Sequence, residues 1–492
     1  MDLLTLYAGL ILPWLGGALW LMSIEAQLDT SRISRIRQVG YGFFVGYAIL
    51  FLAIVASQKL FDSVSWPYLM GFLAIIAASG GVAVWRSRTT TEEDLPHDTK
   101  ASVSLPIKAL VGVLVVLTAV HLLFITMEVF TRPVYPWDAW LAWVYRAKAW
   151  FMAGNMVEIV NPAGWAVASS TDVYTIDAWR YPLFPSVIPY WAALSLGRWS
   201  ETLVNVPVLF AGLALGMALY GQCREYGLDK FFSLVTCYLL FSIPLLGTHL
   251  ALAGYADIWM AGFTGLGFVA LMRGAMKHGD ARTSGYQLML GLLMIVFSIA
   301  VKNEGAVWFL AALFLLVPAM YRPRVPVAIV VAVVLITTLG YALGHPYIDL
   351  PLMGRLGIED GRLAIPFIGS FKLGVHDVRL VYWKNFVSLG SWNLLWVAIA
   401  ASLLLGIRPS NAQEASQAKR VTLSFILIFV ATQVFIFGFT DQGLWADTYT
   451  AINRLPLHFV PALLFSAVIL LNAALPQTTR RSGASPRSGE SA

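Results

Sequence analysis

Charge is scarce in this sequence. Only 12% of its 492 residues are Asp, Glu, Lys or Arg, against 58% that are hydrophobic. A soluble chain of this length needs far more charge to cover its surface. Cysteine is nearly absent: Cys223 and Cys237 form no CxxC pair, which argues against a disulfide framework or a metal knuckle. The seven histidines show no HExxH spacing, and there is no P-loop and no dinucleotide fingerprint. Basic residues do not gather in an aromatic-rich patch, so nucleic acid is not an expected partner. The N-terminus lacks the positive region and small-residue cleavage site of a removable signal, so the first apolar run is expected to remain as a span.

What the chain has in abundance is apolar runs of bilayer length. They lie near 3–24, 39–57, 66–85, 109–127, 203–222, 231–250, 255–274, 286–301, 305–320, 325–344, 386–407, 421–440 and 455–475. A helix of about 20 residues crosses the roughly 30 Å hydrocarbon layer. The expected fold class is therefore all-α, a polytopic bundle of about 13 spans. Many of the 18 tryptophans fall near span ends, where amphipathic rings settle. The proline-bearing run 183–197 is expected to lie along the outer surface. Counted that way, most of the 33 basic residues fall on the inner loops, among them Arg35, Arg37, Arg224, Lys230, Arg273, Arg282 and Arg420. That distribution satisfies the positive-inside rule, and counting 183–197 as a span inverts it. The basic excess then faces anionic membrane lipid. Three regions follow: three N-terminal spans over 1–108, a membrane domain over 109–475, and a polar inner tail over 476–492.

Two outer loops are long, about 128–202 and 345–385. The first opens with Trp137-Asp138-Ala139-Trp140 and continues in a helical pattern. Trp140, Val144, Ala147 and Phe151 share one face, with Arg146 and Lys148 toward another, as in an interfacial helix. Asp138 reads either as the N-cap of that helix or as a carboxylate at the membrane surface, placed to take a proton from a hydroxyl. Arg146 and Lys148 would suit a lipid phosphate. Gly254-Tyr255-Ala256-Asp257 offers a second outer carboxylate, again a cap or a partner of Asp138 across a cavity. Lys302-Asn303-Glu304-Gly305 puts three polar groups at the end of a short span. Such groups are expensive to bury unless paired. They form either a local Lys302–Glu304 pair or a phosphate- or sugar-facing group. Arg180, before two prolines, is a further anion-binding candidate. The last outer loop, with Asp441, Trp445, Asp447 and Arg454, reads as an ordinary solvated loop, with sugar stacking as the alternative.

The order of these features over roughly 109–475 resembles the type C polytopic glycosyltransferases. The likeness is nearest to the branch with bacterial protein mannosyltransferases and lipid A aminoarabinose transferases. The WDAW segment is similar to that family's acidic start of the first outer loop, and GYAD to its second acidic motif. RYPLFP resembles a KPPL-like motif, and KNEG a segment of the bacterial relatives. The resemblance implies transfer of a sugar from a polyprenyl-phosphate donor to an extracytoplasmic acceptor. Asp138 would be the base, and Asp257, Arg146, Lys148, Arg180, Lys302, Asn303 and Glu304 would bind substrate. It implies residence in a bacterial inner membrane with the site on the outer face. No cofactor is required. The two aspartates leave a divalent metal open, since carboxylate oxygens suit hard cations. A transporter or flippase of a lipid-linked or small-molecule substrate is the other expectation. It would carry charged or helix-breaking residues at membrane depth.

Overall fold

The computed structural model describes residues 2–28, 34–87, 105–170, 173–176, 178–277, 280–320, 347–350, 354–359, 361–365, 369–406 and 413–474. Most of the expected inner loop 86–108, the 325–344 run and the tail 476–492 lie outside the described residues.

Apolar runs become helices because lipid offers no water to bond the backbone, so each segment satisfies its own N–H and C=O groups. The first four are α1 (Asp2–Ala26), α2 (Arg35–Phe61), α3 (Trp66–Ser87) and α4 (Leu105–Thr131). The loop expected to be the first outer one carries α5 (Val144–Ala153) and α6 (Phe184–Leu196). Then come α7 (Val206–Tyr226), α8 (Lys230–Phe241), α9 (Pro244–Ala251), α10 (Asp257–Ala275), α11 (Ala281–Ser298) and α12 (Glu304–Met320). The chain closes with α13 (Leu395–Gly406), α14 (Gln413–Phe439), α15 (Ala451–Leu457) and α16 (Val460–Ala474).

Seven helices among the described residues are long and apolar enough to cross a membrane. Two bent pairs, α8 with α9 at 63° and α15 with α16 at 58°, raise the number to nine. The protein is thus a multi-pass membrane protein, and its helix lengths support seven to nine crossings where hydropathy alone suggested thirteen. The difference lies in short apolar helices such as Leu395–Gly406 and in the run outside the described residues.

Three features add detail to the expected helical bundle. The second long loop, about 345–385, carries strands. It holds an antiparallel four-stranded meander, β1 (Tyr347–Leu350), β2 (Gly354–Glu359), β3 (Arg362–Ile365) and β4 (Gly369–Lys372). Its exit is pinned to the end of α14, where the Gly374 and His376 amides donate to the Phe439 and Gly438 carbonyls at 3.2 and 2.9 Å. Helix α6, too short to count among the spans, is not an exposed helix: almost all of its side chains are buried between α1, α5 and α2. Trp191 Nε1 donates to the Gly9 carbonyl at 2.8 Å, and Ser195 packs on the same glycine. Finally, the face of the 139–153 helix is turned from its expected direction. Trp140 is exposed while Arg146 is buried, for a reason given below.

The N-terminal helices pack through small residues. Gly42 faces the backbone of Ala18 on α1, and Gly40 faces Ala218 on α7, so α2 presses against both neighbours. The ends of these helices near Glu25, Arg37 and Glu225 are tied by charge. Arg37 pairs with Glu25 at the end of α1 and with Glu225 at the end of α7 (2.6 Å). The Ser34 amide also donates to Glu225 at 2.8 Å, and Arg273 near the end of α10 lies 3.9 Å from it. All four charged side chains are buried. Removing Arg37 leaves two buried carboxylates without their main partner, which typically costs about 3–5 kcal/mol. Arg37→Met should therefore lower the melting temperature of the purified protein sharply. Exposed Arg420→Met should leave it unchanged.

Candidate functional site

The two aspartates nominated from sequence meet at one arginine. Arg454 Nη2 lies 2.6 Å from Asp138 Oδ2 and 2.6 Å from Asp257 Oδ2, with its Nε 3.0 Å from the latter. Neither aspartate is a helix cap: the side chain of Asp138 accepts no capping hydrogen bond, and Asp257 is fully buried within its ion pairs. Asp257 also faces Lys302 Nζ at 3.4 Å and His458 Nε2 at 2.9 Å through Oδ1. Lys302 in turn pairs with Glu304 at 3.2 Å. The local Lys302–Glu304 pair thus exists, and it is one edge of a larger network.

Local chain geometry brings these groups together. Asp138 directly precedes a π-helical stretch, Ala139–Trp143, and Asp257 precedes another, Ala261–Leu266. Such widened turns recur at functional sites. Gly254 makes their approach possible. Its φ of 115° belongs to glycine, and a Cβ there would stand 2.8 Å from the Cβ of Ala139, beside Asp138. The Lys302 segment is held to the first outer loop by the Phe184 amide, which donates to the Ala300 carbonyl at 3.3 Å. Burial works against the charge on Lys302, but Asp257 and Glu304 outweigh it and hold its pKa above the usual lysine value. The stabilisation from that pairing is complete at neutral pH and is lost only as pH rises through the raised, strongly alkaline value. Negative charge on Glu304, with burial, likewise pushes the Tyr181 phenol up.

These groups stand at the polar end of a cavity of about 1660 Å3. Asp138, Lys302, Asn303, Glu304, His249 and Arg454 line that end, with Trp137, Tyr181 and Trp445 beside them. From there the cavity runs between α12 and α14, along Leu310, Phe314, Leu427 and Ile428. The distance from Thr440 to Ser424, both in the lining, is 16 residues of helix, or about 24 Å. Phe371 of β4 also lines the cavity.

Four nominated residues do not line this cavity: Asp257, fully buried behind its partners, and Arg146, Lys148 and Arg180. Arg146 is buried because its guanidinium donates to the carbonyls of Ala178, Trp179 and Tyr181 at 3.1–3.3 Å. It clamps the turn before α6, and burial pulls its pKa down to about 10. Lys148 pairs with Glu201 at 2.6 Å, and Arg180 stacks on the ring of Trp179 at 4.7 Å. Arg454, by contrast, was passed over as part of a solvated loop, and His249 and His458 were not considered. A signal existed for two of them: Arg454 and His458, four residues apart, open the last apolar run. Polar groups placed that way share one helix face and are costly in lipid unless they are used.

Among the described residues no three metal-ligating side chains gather. Asp138 and Asp257 share a guanidinium. Arg454→Met should destabilise the protein strongly, since it strips the main partner from a buried carboxylate. Adding Asp257→Asn should restore part of the loss, giving a coupling of about 2 kcal/mol or more in a double-mutant cycle on thermal unfolding. Arg180→Ala should change stability by no more than about 0.5 kcal/mol.

No family model, no curated protein and no solved structure matches this chain.

Proposed function

We propose that this protein is a membrane glycosyltransferase, moving a sugar from a polyprenyl-phosphate donor to an extracytoplasmic acceptor. The observation that carries the reading is the continuity of one cavity. It joins a converged set of carboxylates and cations to an apolar groove along two helices. A lipid-linked donor has that division: a polar phosphate-sugar head on a long apolar chain. In this reading the chain lies between α12 and α14. Lys302 and Arg454 face the phosphate, and Trp137 or Trp445 stacks on a sugar ring. Asp138, still 28% exposed, takes the proton of the acceptor hydroxyl. The hydroxyl oxygen attacks the anomeric carbon, and the bond from that carbon to the phosphate oxygen breaks. Its electron pair leaves with the lipid phosphate, where Lys302 and Arg454 meet the charge. Direct displacement gives inversion at the sugar. The basic residues of the loops at the opposite end favour an orientation with this end outside, and a bacterial inner membrane suits a polyprenyl donor.

A transporter or flippase is the second reading, and the broken helices favour it. Both α9, with His249, and α15, with Arg454, belong to bent spans beside the cavity, as discontinuous helices do at transporter sites. The two readings separate on product. Envelope glycans and lipid-linked sugars compared with and without the protein should show loss of one glycan and accumulation of its donor. Asp138→Asn should keep normal expression and cut sugar transfer by about a hundred- to ten-thousand-fold. Donor that crosses vesicle membranes with no sugar transferred, unaffected by Asp138→Asn, would establish the transporter instead.

A further inference from the structure

Charge balance extends the lipid-phosphate reading, on which this inference rests. Three carboxylates, Asp138, Asp257 and Glu304, and two cations, Lys302 and Arg454, make up the charged groups of the network at the polar end among the described residues. With both histidines neutral the network holds one net negative charge. A lipid phosphodiester brings a second one, and repulsion in a partly buried site is screened far less than in water. A proton taken up with the lipid would restore the balance.

Hydrogen bonding decides which group can accept it. Trp308 donates its Nε1–H to His458 Nδ1 at 3.1 Å, so His458 turns its Nε2–H toward Asp257 Oδ1. Both nitrogens of that ring are occupied. His249 is different. Its Nδ1 lies 2.9 Å from the Leu245 carbonyl, which can only accept, so Nδ1 carries the hydrogen. In the neutral ring Nε2 is then a bare lone pair. It is buried, lies 3.7 Å from Asp257 Oδ2, and has no hydrogen-bond partner among the described residues. The residue is 4% exposed, yet it lines the cavity. A lone pair facing a carboxylate gains nothing, whereas a proton there makes an ion pair. The other groups facing His249 are Arg454, Lys302 and Tyr255, whose ring centroid lies 4.7 Å away. From α4, His121 packs on Gly247, two residues along α9.

We propose that His249 binds a proton at Nε2 when the phosphate of a lipid phosphodiester enters the cavity, so that donor binding and His249 protonation are one linked event. The proton comes from solvent, and no bond of the lipid changes. An anion bound nearby raises the proton affinity of the ring, so lipid affinity is greatest at low pH. It falls as pH rises, by about tenfold per unit where a full proton is coupled.

The test uses the full-length protein in nanodiscs and an undecaprenyl methyl phosphodiester, whose single charge is constant across neutral pH. Its Kd should rise at least about threefold from pH 6 to pH 8 in the wild type. In His249→Gln, whose amide takes up no proton, Kd should be flat. Proton uptake on the wild type, followed with an indicator dye in weak buffer, should approach one per lipid bound and needs no variant. A flat wild-type profile without proton uptake, or an unchanged slope in His249→Gln, would overturn the proposal. A wild type that binds the phosphodiester at no pH would instead contradict the lipid-phosphate reading itself, and the proposal with it.

Discussion

A carboxylate with no access to water has to be surrounded by donors, and Asp257 is such a group. It is fully buried, and its two oxygens are met by Arg454, Lys302 and His458. Those partners come from the helix α15, from the turn before α12, and from the junction of α15 with α16. An uncompensated charge in that position would cost several kcal/mol. The ends of these elements that carry the partners are therefore obliged to converge on the start of α10. The same constraint reaches the first outer loop. Because Arg454 spends one nitrogen on both aspartates, the position of Asp138 follows from that of Asp257.

A second charged knot holds the opposite end. Asp257 opens α10 and Arg273 stands near its close, 16 residues on, so the two networks are separated by about 24 Å. Between them the packing is apolar and aromatic: Phe43, Phe44, Trp259, Phe184 and Phe263 interlock where α2, α6 and α10 meet. The second knot joins α1, α2, α7 and α10 through charged side chains that are all buried, which suits a tie. The outer network lines a large cavity and leaves Asp138 and Arg454 partly exposed, which suits chemistry. Similar residue types thus serve different ends because one set is closed off and the other is not.

Much of this was legible in the amino-acid order. Hydropathy located the helices, since lipid demands long apolar runs, and motif order put Asp138, Asp257 and Lys302 on one side. Other features were hidden for physical reasons. The length of α6 and its prolines match a surface helix, and only its packing on Gly9 of α1 and Phe51 of α2 buries it among other helices. Arg146 looks like a phosphate ligand because nothing in one dimension announces that carbonyls some 35 residues later will take its hydrogen bonds. The meander over 347–372 has no strong alternation of apolar residues. Arg454 was undervalued because a charge at a span end usually faces water, whereas here a buried aspartate claims it.

The central claim is that one cavity takes a phosphate head at Lys302 and Arg454 and a lipid chain between α12 and α14. It is tested most directly by photocrosslinking with a polyprenyl phosphate that carries a diazirine along its chain, followed by peptide mass spectrometry. Adducts should concentrate on Leu310, Phe314, Leu427 and Ile428, and an excess of unlabelled polyprenyl phosphate should suppress them. Adducts spread instead over the lipid-facing surface of α4, at residues such as Val116 and Phe124, and insensitive to competitor, would contradict it.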